Sequence, residues 1–264
     1  MAMNQTTAVL LSVGGLARSF DGIQAVTGLS FDITSGGITA LIGPNGAGKT
    51  TVFNVITGFL PPDKGCVRFA NAEITHRRPD QIARMGIGRT FQDCKVFPQL
   101  PVLDNVILGF EDAANETLAV ALMRRRAMLD SEVDKSKRAC ALLERVGLIG
   151  KKKDLAGNLS CGQRKLLELC RVQALNPKLI LLDEPMAGLS PSMIVTMTEI
   201  IRGLRESGKT VVFIEHNMKV VMNLSERVLV LNFGQLIADG PPEAVRNDPA
   251  VRHAYLGRKT SSAS

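Results

Sequence analysis

The chain has 264 residues, of which 45% are apolar and 22% charged, and its 32 Lys and Arg against 25 Asp and Glu give a formal net charge of +7. This size and composition are typical of a globular protein with a substantial core, and they exclude a disordered chain, a collagen-like repeat and a small disulfide-stapled scaffold. The longest aliphatic runs, such as Leu179 to Leu182, are about four residues, whereas a membrane-spanning helix needs roughly 20.

The cysteines and the N-terminus indicate a compartment. The five cysteines are odd in number and contain no CxxC pair. The N-terminus lacks the basic start of a secretory signal. We therefore expect reduced thiols in a cytosolic protein. The positive charge is compatible with nucleic acid or an anionic membrane surface as a partner, and equally with no specific partner.

Alternating apolar residues in the first third of the chain predict half-buried antiparallel strands over residues 9–20 and 29–36. A short apolar run over 38–43 predicts a further strand, and helical spacing follows at 49–58. After a turn built from Pro and Gly, residues 66–70 again predict a strand.

The rest of the chain changes character twice. From about 93 to 165, apolar residues recur every three or four positions, which predicts helices. Beyond that, nearly continuous apolar runs predict strands at 179–184, 210–216 and 227–232, with a helix at 191–208 between two of them. Strands buried on both faces and joined by helices are typical of a parallel sheet.

The segment Gly43–Thr50 fits the pattern GxxxxGK[ST] and lies between a predicted strand and a predicted helix. Glycines let successive backbone N–H groups point into one concavity at a helix N-terminus, and such a nest binds phosphate oxygens. Lys49 can neutralise the β- and γ-phosphates, and the Thr50 hydroxyl can ligate Mg²⁺. By itself the loop leaves kinases, GTPases, motors and transport ATPases open.

Four further features follow in a fixed order. They are Gly88–Gln92 at the end of a short strand, Leu159–Gln163 at the start of a helix, Leu179–Pro185 as an apolar strand ending in two carboxylates, and His216 at the end of the next strand. Together with the phosphate loop they resemble the ATP-binding subunit of an ABC transporter, over essentially the whole chain. The resemblance implies an α/β P-loop NTPase fold, with a RecA-like parallel-sheet core, an N-terminal antiparallel β subdomain and an inserted α-helical subdomain.

The resemblance also implies a domain organisation. Residues 1–257 are expected to form a single ABC ATPase domain, with the antiparallel β and P-loop core at about 8–92. The helical subdomain is expected at about 93–165 and the α/β continuation of the core at about 166–257. The tail 258–264 is polar and we expect it to be disordered.

Each motif carries a role by resemblance. Asp183 resembles the Walker B aspartate that orders Mg²⁺ opposite Thr50, and Glu184 resembles the carboxylate that polarises the attacking water. Gln92 resembles the glutamine that reaches the metal and the water and links to the transmembrane subunit. His216 resembles the histidine that contacts the γ-phosphate. The expected catalytic residues are thus Glu184, His216 and Gln92, and the expected metal residues are Thr50, Gln92 and Asp183.

The expected ATP-binding residues belong to the phosphate loop, with one aromatic residue outside it. They are Phe20, Asn45, Gly46, Ala47, Gly48, Lys49, Thr50 and Thr51. Phe20 occupies the position where the family places an aromatic ring that stacks on adenine, and stacking needs only a π face. The alternative for Phe20 is a core residue at the end of a strand.

The signature segment comprises Ser160, Cys161, Gly162 and Gln163, and it is expected to contact the ATP of a partner subunit. It departs from the usual LSGGQ at Cys161, where a small side chain is compatible with a contact through the backbone. Ser190 is a second departure, since it stands where the family usually carries an aspartate.

Longer strings at 42–59, 86–109, 214–222 and 240–257 resemble the branched-chain amino acid uptake ATPases, a group with related amide and urea importers. The resemblance implies ATP and Mg²⁺ as cofactors and a head-to-tail dimer with a second, identical or paralogous, ATPase subunit. It further implies transmembrane permease subunits, indirectly a periplasmic or extracellular substrate-binding protein, and no nucleic acid. The chain is expected at the cytoplasmic face of the inner membrane, as a peripheral subunit.

Several alternatives stay open. The importer could carry urea or short amides, and the chain could be a soluble ABC protein of DNA repair or translation, although those usually have two cassettes or a long coiled coil. A kinase or GTPase would not account for LSCGQ, and the NKxD base-reading motif of GTPases is absent. The basic runs 124–126 and 151–153 are either solvated surface or attracted to anionic lipid or a permease loop.

Overall fold

The computed structural model describes residues 8–110 and 125–256. The predicted helical stretch between 111 and 124 lies outside the described residues, as does the predicted disordered tail 258–264. No helix in the described part of the chain is long and apolar enough to cross a membrane.

The described strands and helices alternate along most of the chain. The strands are β1 (Val9–Phe20), β2 (Ile23–Thr34), β3 (Ile38–Ile42), β4 (Lys64–Phe69), β5 (Ala72–Glu73), β6 (Ile87–Arg89), β7 (Leu179–Asp183), β8 (Thr210–Ile214), β9 (Arg227–Asn232) and β10 (Gln235–Gly240). The helices are α1 (Lys49–Ile56), α2 (Pro79–Arg84), α3 (Val102–Ile107), α4 (Arg125–Arg145), α5 (Cys161–Ala174), α6 (Pro191–Glu206), α7 (Met218–Leu224), α8 (Pro242–Asn247) and α9 (Pro249–Leu256).

An antiparallel sheet with the strand order β2-β1-β4-β5 follows from the alternating segments near the N-terminus. The antiparallel prediction is confirmed, but β2 begins at Ile23, six residues before its predicted start. Asp21 and Gly22 both have positive φ values, 48° and 83°, and they join β1 to β2 as a two-residue hairpin. Asp-Gly is a strong hairpin signal. Strand β2 begins with the exposed residues Ile23 and Gln24, so burial did not mark its start.

The second sheet has the strand order β10-β9-β3-β8-β7-β6. Strands β9, β3, β8, β7 and β6 are parallel, as predicted, and β10 joins the edge antiparallel to β9. Strands β3, β7 and β8 are buried at every position, because both faces of the sheet are covered.

The parallel direction positions the candidate site. The carboxyl ends of β3, β7 and β8 meet at one edge of the sheet, where ligands bind in open α/β sheets. The glycine-rich loop follows β3, Glu184 follows β7, and His216 lies two residues after β8. Three motifs that are far apart in sequence therefore converge at this edge.

The chain divides into two compact units. The first unit comprises the described residues up to Arg89, together with Lys178–Pro185 and those from Ile201 onward. It contains both sheets, and its core includes the large side chains Phe53, Phe69 and Leu41.

The second unit comprises Thr90–Pro177 and Met186–Ile200. Within it, α3, α4 and α5 pack on one another, as the helical spacing of this region predicts.

Candidate active site

The glycine-rich loop between β3 and α1 requires glycine at two positions. A Cβ atom on Gly43, where φ is 153°, would lie 2.1 Å from the carbonyl oxygen of Leu231. A Cβ atom on Gly48, where φ is 98°, would lie 2.3 Å from the carbonyl oxygen of Ala25. At Gly46, with φ 78°, a Cβ atom would meet nothing within 4 Å, so the exposed tip of the loop faces open space. The open space beside these glycines leaves room for a phosphate group.

Lys49 and the start of α1 supply positive charge to the loop. The buried Lys49 Nζ donates hydrogen bonds to the carbonyl oxygens of Gly43 at 2.9 Å and Pro44 at 3.0 Å. Gly48 caps α1 without a side-chain hydrogen bond, so no side chain competes for the first N–H groups of the helix. The residues present therefore fit the phosphates of a nucleotide.

Asp183 ends β7 in a buried ion pair. Its Oδ2 accepts a hydrogen bond from Arg89 Nη2 at 3.0 Å, and the two side chains are only 2% and 5% exposed. Burial raises the pKa of Asp183, and the neighbouring Glu184 raises it too, while Arg89 and Lys49 oppose that shift. The carboxylate thus lies within electrostatic range of both Lys49 and Glu184, and its oxygens are of the kind that Mg²⁺ prefers.

Glu184 and His216 contact each other directly. Glu184 Oε1 and His216 Nε2 are 3.0 Å apart, at side chains that are 20% and 42% exposed. The backbone of Glu184 has φ 49°, which is uncommon for a residue with a side chain, and its N–H donates to the carbonyl oxygen of Ile214. Strained backbone of this kind concentrates at functional sites. A partly exposed carboxylate held against an imidazole is suited to orienting a water molecule.

Glu215 binds backbone N–H groups. It is buried, and its Oε2 accepts hydrogen bonds from the backbone N–H groups of His216 at 3.1 Å and Asn217 at 3.5 Å. This carboxylate therefore orients the turn that carries His216.

The remaining predicted nucleotide residues also lie in the first unit. Asn45 and Thr50 are exposed, Thr51 is half-buried and Ala47 is buried. Phe20 is 40% exposed, so it is not a core residue, and the Arg18 guanidinium lies 5.1 Å from the centre of its ring.

Gln92 and the signature belong to the second unit. Gln92 is exposed and follows β6 in irregular backbone. The signature begins α5 as a capping box, in which Ser160 Oγ accepts from the Gln163 N–H and Gln163 Oε1 accepts from the Ser160 N–H. Cys161 is exposed, whereas Gly162 is buried against Met193. The sequence Ser-x-x-Gln therefore has a local structural reason, the capping box at the start of α5.

Two buried charged residues escaped the sequence analysis. Arg89 lies within the segment Gly88–Gln92. No local signal identifies Asp183 as its partner. Glu168 interrupts the apolar face of α5, and an acid among leucines was a signal that could have been used. Its Oε1 accepts hydrogen bonds from the backbone N–H groups of Phe91 at 3.3 Å and Lys95 at 3.0 Å. It thereby holds the loop that contains Gln92.

Arg171, one turn further along α5, holds the same loop. It donates a hydrogen bond to the carbonyl oxygen of Lys95, and its guanidinium lies 4.8 Å from the centre of the Phe97 ring. Of the basic runs, Arg124 and the side chains at 125 and 126 lie outside the described residues. Lys151 pairs with Asp154 at 3.4 Å.

The family model for ABC transporters matches residues 26–187, which is more than half of the chain. The chain belongs to the ABC transporter family of ATP-binding cassettes. As a cassette of this family it is an ATPase. A second model, for the branched-chain amino acid ATP-binding cassette transporter, matches residues 235–259.

Curated and solved relatives match along the whole cassette. The high-affinity branched-chain amino acid transport ATP-binding protein LivG of Salmonella typhimurium is 39% identical over 249 residues, which are 94% of this chain and 98% of that protein. A nucleotide-free cassette from an ABC transporter is 33% identical with a TM-score of 0.82, over 95% of this chain and 100% of that chain. An ADP-bound cassette is 34% identical with a TM-score of 0.81 over the same shares. These structures confirm the predicted α/β fold.

Proposed function

We propose that this chain is the ATP-hydrolysing subunit of an ABC importer for branched-chain amino acids. The observation that carries the proposal is the likeness to LivG, at 39% identity over 94% of the chain. The match of residues 235–259 to the model for branched-chain amino acid cassettes supports it, because that match lies outside the part of the chain that the general ABC model covers.

In this proposal the glycine-rich loop binds the phosphates of ATP. The open space at Gly46 and the Lys49 ammonium, which donates to the carbonyl oxygens of Gly43 and Pro44, support that role. Asn45, Ala47, Gly48 and Thr51 complete the loop, and the exposed ring of Phe20 stacks on adenine.

Mg²⁺ would be held by Thr50, Asp183 and Gln92, and it would supply charge that stabilises the phosphate oxygens. Glu184 accepts a proton from the attacking water, and His216 orients Glu184 and contacts the γ-phosphate. The Oε1 to Nε2 distance of 3.0 Å supports this pairing, since a base must be held in position by a hydrogen-bond partner.

The proposal includes the assembly. Two ATPase subunits face head to tail, and each site pairs Lys49 of one subunit with Ser160, Cys161, Gly162 and Gln163 of the other. The exposed Ser160 at the start of α5 supports this role, because a helix N-terminus attracts phosphate. Permease subunits in the membrane receive the motion and a binding protein delivers the substrate, while this chain lies at the cytoplasmic face.

We also retain the proposed division of one ATPase domain over residues 1–257. Its helical subdomain is at about 93–165, and the helices α3 and α4 support that assignment.

Replacing Glu184 by Gln tests the catalytic assignment. Glu184→Gln removes the proton acceptor and keeps the shape, so we expect ATP turnover to fall about 10²- to 10⁴-fold. Binding of a fluorescent ATP analogue should stay within twofold of the wild type. Glu199→Gln is the matched control, since it makes the same change at an exposed residue of α6 and should keep the wild-type turnover. Turnover near the wild-type rate in Glu184→Gln would contradict the assignment.

Capture from membranes, followed by reconstitution, tests the transport function. The tagged chain should recover permease subunits from detergent-solubilised membranes, and ribosomes or DNA in their place would contradict the importer. In proteoliposomes with those permeases and their binding protein, we expect ATP-driven uptake of labelled leucine, with Glu184→Gln as the inactive control. Uptake of urea or acetamide without leucine would retain the importer and overturn the substrate class.

A further inference from the structure

Arg89 is a buried guanidinium at the end of β6, in the same unit as the phosphate loop. Its side chain is 5% exposed and that of Asp183 is 2% exposed. Burying such a pair removes both ions from water, and their attraction does not always offset that cost, so a buried pair is weak evidence for stability alone. Its position beside the proposed metal residue calls for another explanation.

The guanidinium uses its fork to join two elements. Nη2 donates to Asp183 Oδ2 at 3.0 Å, while Nη1 donates to Asn54 Oδ1 at 2.8 Å and Thr57 Oγ1 at 3.0 Å. Asp183 ends β7, whereas Asn54 belongs to α1 and Thr57 is the C-cap of α1. The fork therefore fixes the end of β7 against the helix that follows the phosphate loop.

Two aromatic rings hold the guanidinium plane. The Arg89 Cζ lies 5.6 Å from the centre of the Phe53 ring and 6.0 Å from that of Phe59. Stacking and a rigid set of donors are properties of arginine that lysine lacks. The site is thus built for a guanidinium and not for any cation.

Thr50 lies one helical turn before Asn54 on α1, so a contact that fixes Asn54 also fixes Thr50. In the proposed function, Thr50 and Asp183 of this unit both bind the same Mg²⁺. We propose that Arg89 is a positioning residue that holds Asp183 and the Thr50 helix in the register required to bind one Mg²⁺. This inference rests on the proposed metal roles of Asp183 and Thr50. Mutation of a residue that is hydrogen-bonded to a metal-ligating carboxylate typically lowers metal affinity or activity 10- to 100-fold.

Binding of a non-hydrolysable ATP analogue, measured by calorimetry with EDTA and across a Mg²⁺ titration, tests the inference. In Arg89→Met we expect affinity in EDTA within about twofold of the wild type, because the phosphate loop is intact. The Mg²⁺ concentration for half of the metal-dependent gain in affinity should rise about 10- to 100-fold. Arg227→Met is the control, since Arg227 pairs with Asp239 away from these contacts and should leave both quantities unchanged.

Arg89→Lys keeps the positive charge and loses the forked N–H donors of the guanidinium. This variant tests the inference if Arg89→Met does not fold. A severalfold rise in its Mg²⁺ requirement supports positioning, and a wild-type Mg²⁺ titration in either folded variant overturns it.

Asp183→Asn distinguishes the proposed metal role of Asp183 from the positioning role of Arg89. If Asp183→Asn leaves the Mg²⁺ titration unchanged, the proposed metal role of Asp183 fails and this inference fails with it. If Asp183→Asn shifts the titration and the Arg89 variants do not, the inference alone fails.

Discussion

Two buried charges, one in each unit, are compensated in different ways. Asp183 in the first unit faces the opposite charge of Arg89, and the pair joins β7 to α1. Glu168 in the second unit faces the backbone N–H groups of Phe91 and Lys95. The difference shows two uses of a buried carboxylate. The Arg89–Asp183 ion pair positions side chains, whereas Glu168 accepts hydrogen bonds from backbone N–H groups and so positions a loop.

The two arrangements should respond differently to mutation. Removing one member of an ion pair leaves an uncompensated charge in the interior. Removing Glu168 leaves neutral N–H groups, which cost less to bury without a partner.

The largest expected effect is on the ion pair. Asp183→Asn and Arg89→Met should each lower the free energy of unfolding by about 3 to 5 kcal/mol, because each leaves one buried charge. The double variant should lose clearly less than the sum. Urea unfolding measures these values, and Arg227→Met, in a partly exposed pair, should cost about 1 kcal/mol or less. Equal losses for Arg89→Met and Arg227→Met would remove the distinction between the pairs.

The next effect concerns Glu168. Glu168→Ala should lower the free energy of unfolding by about 2 kcal/mol, because two N–H groups lose their acceptor. Amide hydrogen exchange at Phe91 and Lys95 should become faster. The exposed Glu199→Ala on α6 is the control and should change stability by no more than about 0.5 kcal/mol. Unchanged exchange at both amides would show that Glu168 does not hold this loop.

The pH dependence of the same residue gives a smaller effect. Burial raises the pKa of Glu168, although its backbone and thiol hydrogen bonds and Arg171 oppose the shift. The folded state therefore prefers the protonated acid, and its stabilising contribution is complete below the ordinary value of 4.5 and is lost as pH rises through the raised pKa. Relative to the wild type, Glu168→Gln should become more stable as pH rises above about 4.5. Urea unfolding at several pH values measures this, and the opposite slope would contradict the direction of the shift.

The last prediction concerns the reactivity of the thiols. Burial, followed by the charge and hydrogen bond of Glu168, raises the pKa of Cys94 to about 12, and burial raises that of Cys170 to about 12. At pH 8 both thiols should carry about a thousandfold less thiolate than at the ordinary value of 9.0. Iodoacetamide should therefore label the exposed Cys161 first, as mass spectrometry can follow.

Glu168→Gln sharpens that comparison. It removes the negative charge beside Cys94, so labelling of Cys94 should accelerate while that of Cys170 stays constant. Equal acceleration of both thiols would indicate general loosening of the second unit.

Local sequence determined most of the fold. Strand alternation predicted β1, and continuous apolar runs predicted β3, β7, β8 and β9 to within two residues, since burial on one or both faces leaves a direct pattern. The prediction from hydrophobic patterns was wrong at the start of β2. Ile23 is exposed, and it belongs to the strand because the Asp21-Gly22 turn pairs it with Phe20.

The candidate site divides along the same line. The sequence by itself determined the glycine-rich loop, because its conformation rests on glycines with positive φ within a segment of eight residues. The capping box of the signature is equally local. The tertiary structure alone decided three sets of contacts. They are the contact of Glu184 with His216, the ion pair of Arg89 with Asp183, and the hydrogen bonds that Glu168 accepts from the N–H groups of Phe91 and Lys95. Each joins residues 32 to 94 positions apart, and which buried charge meets which partner depends on how the strands and helices pack.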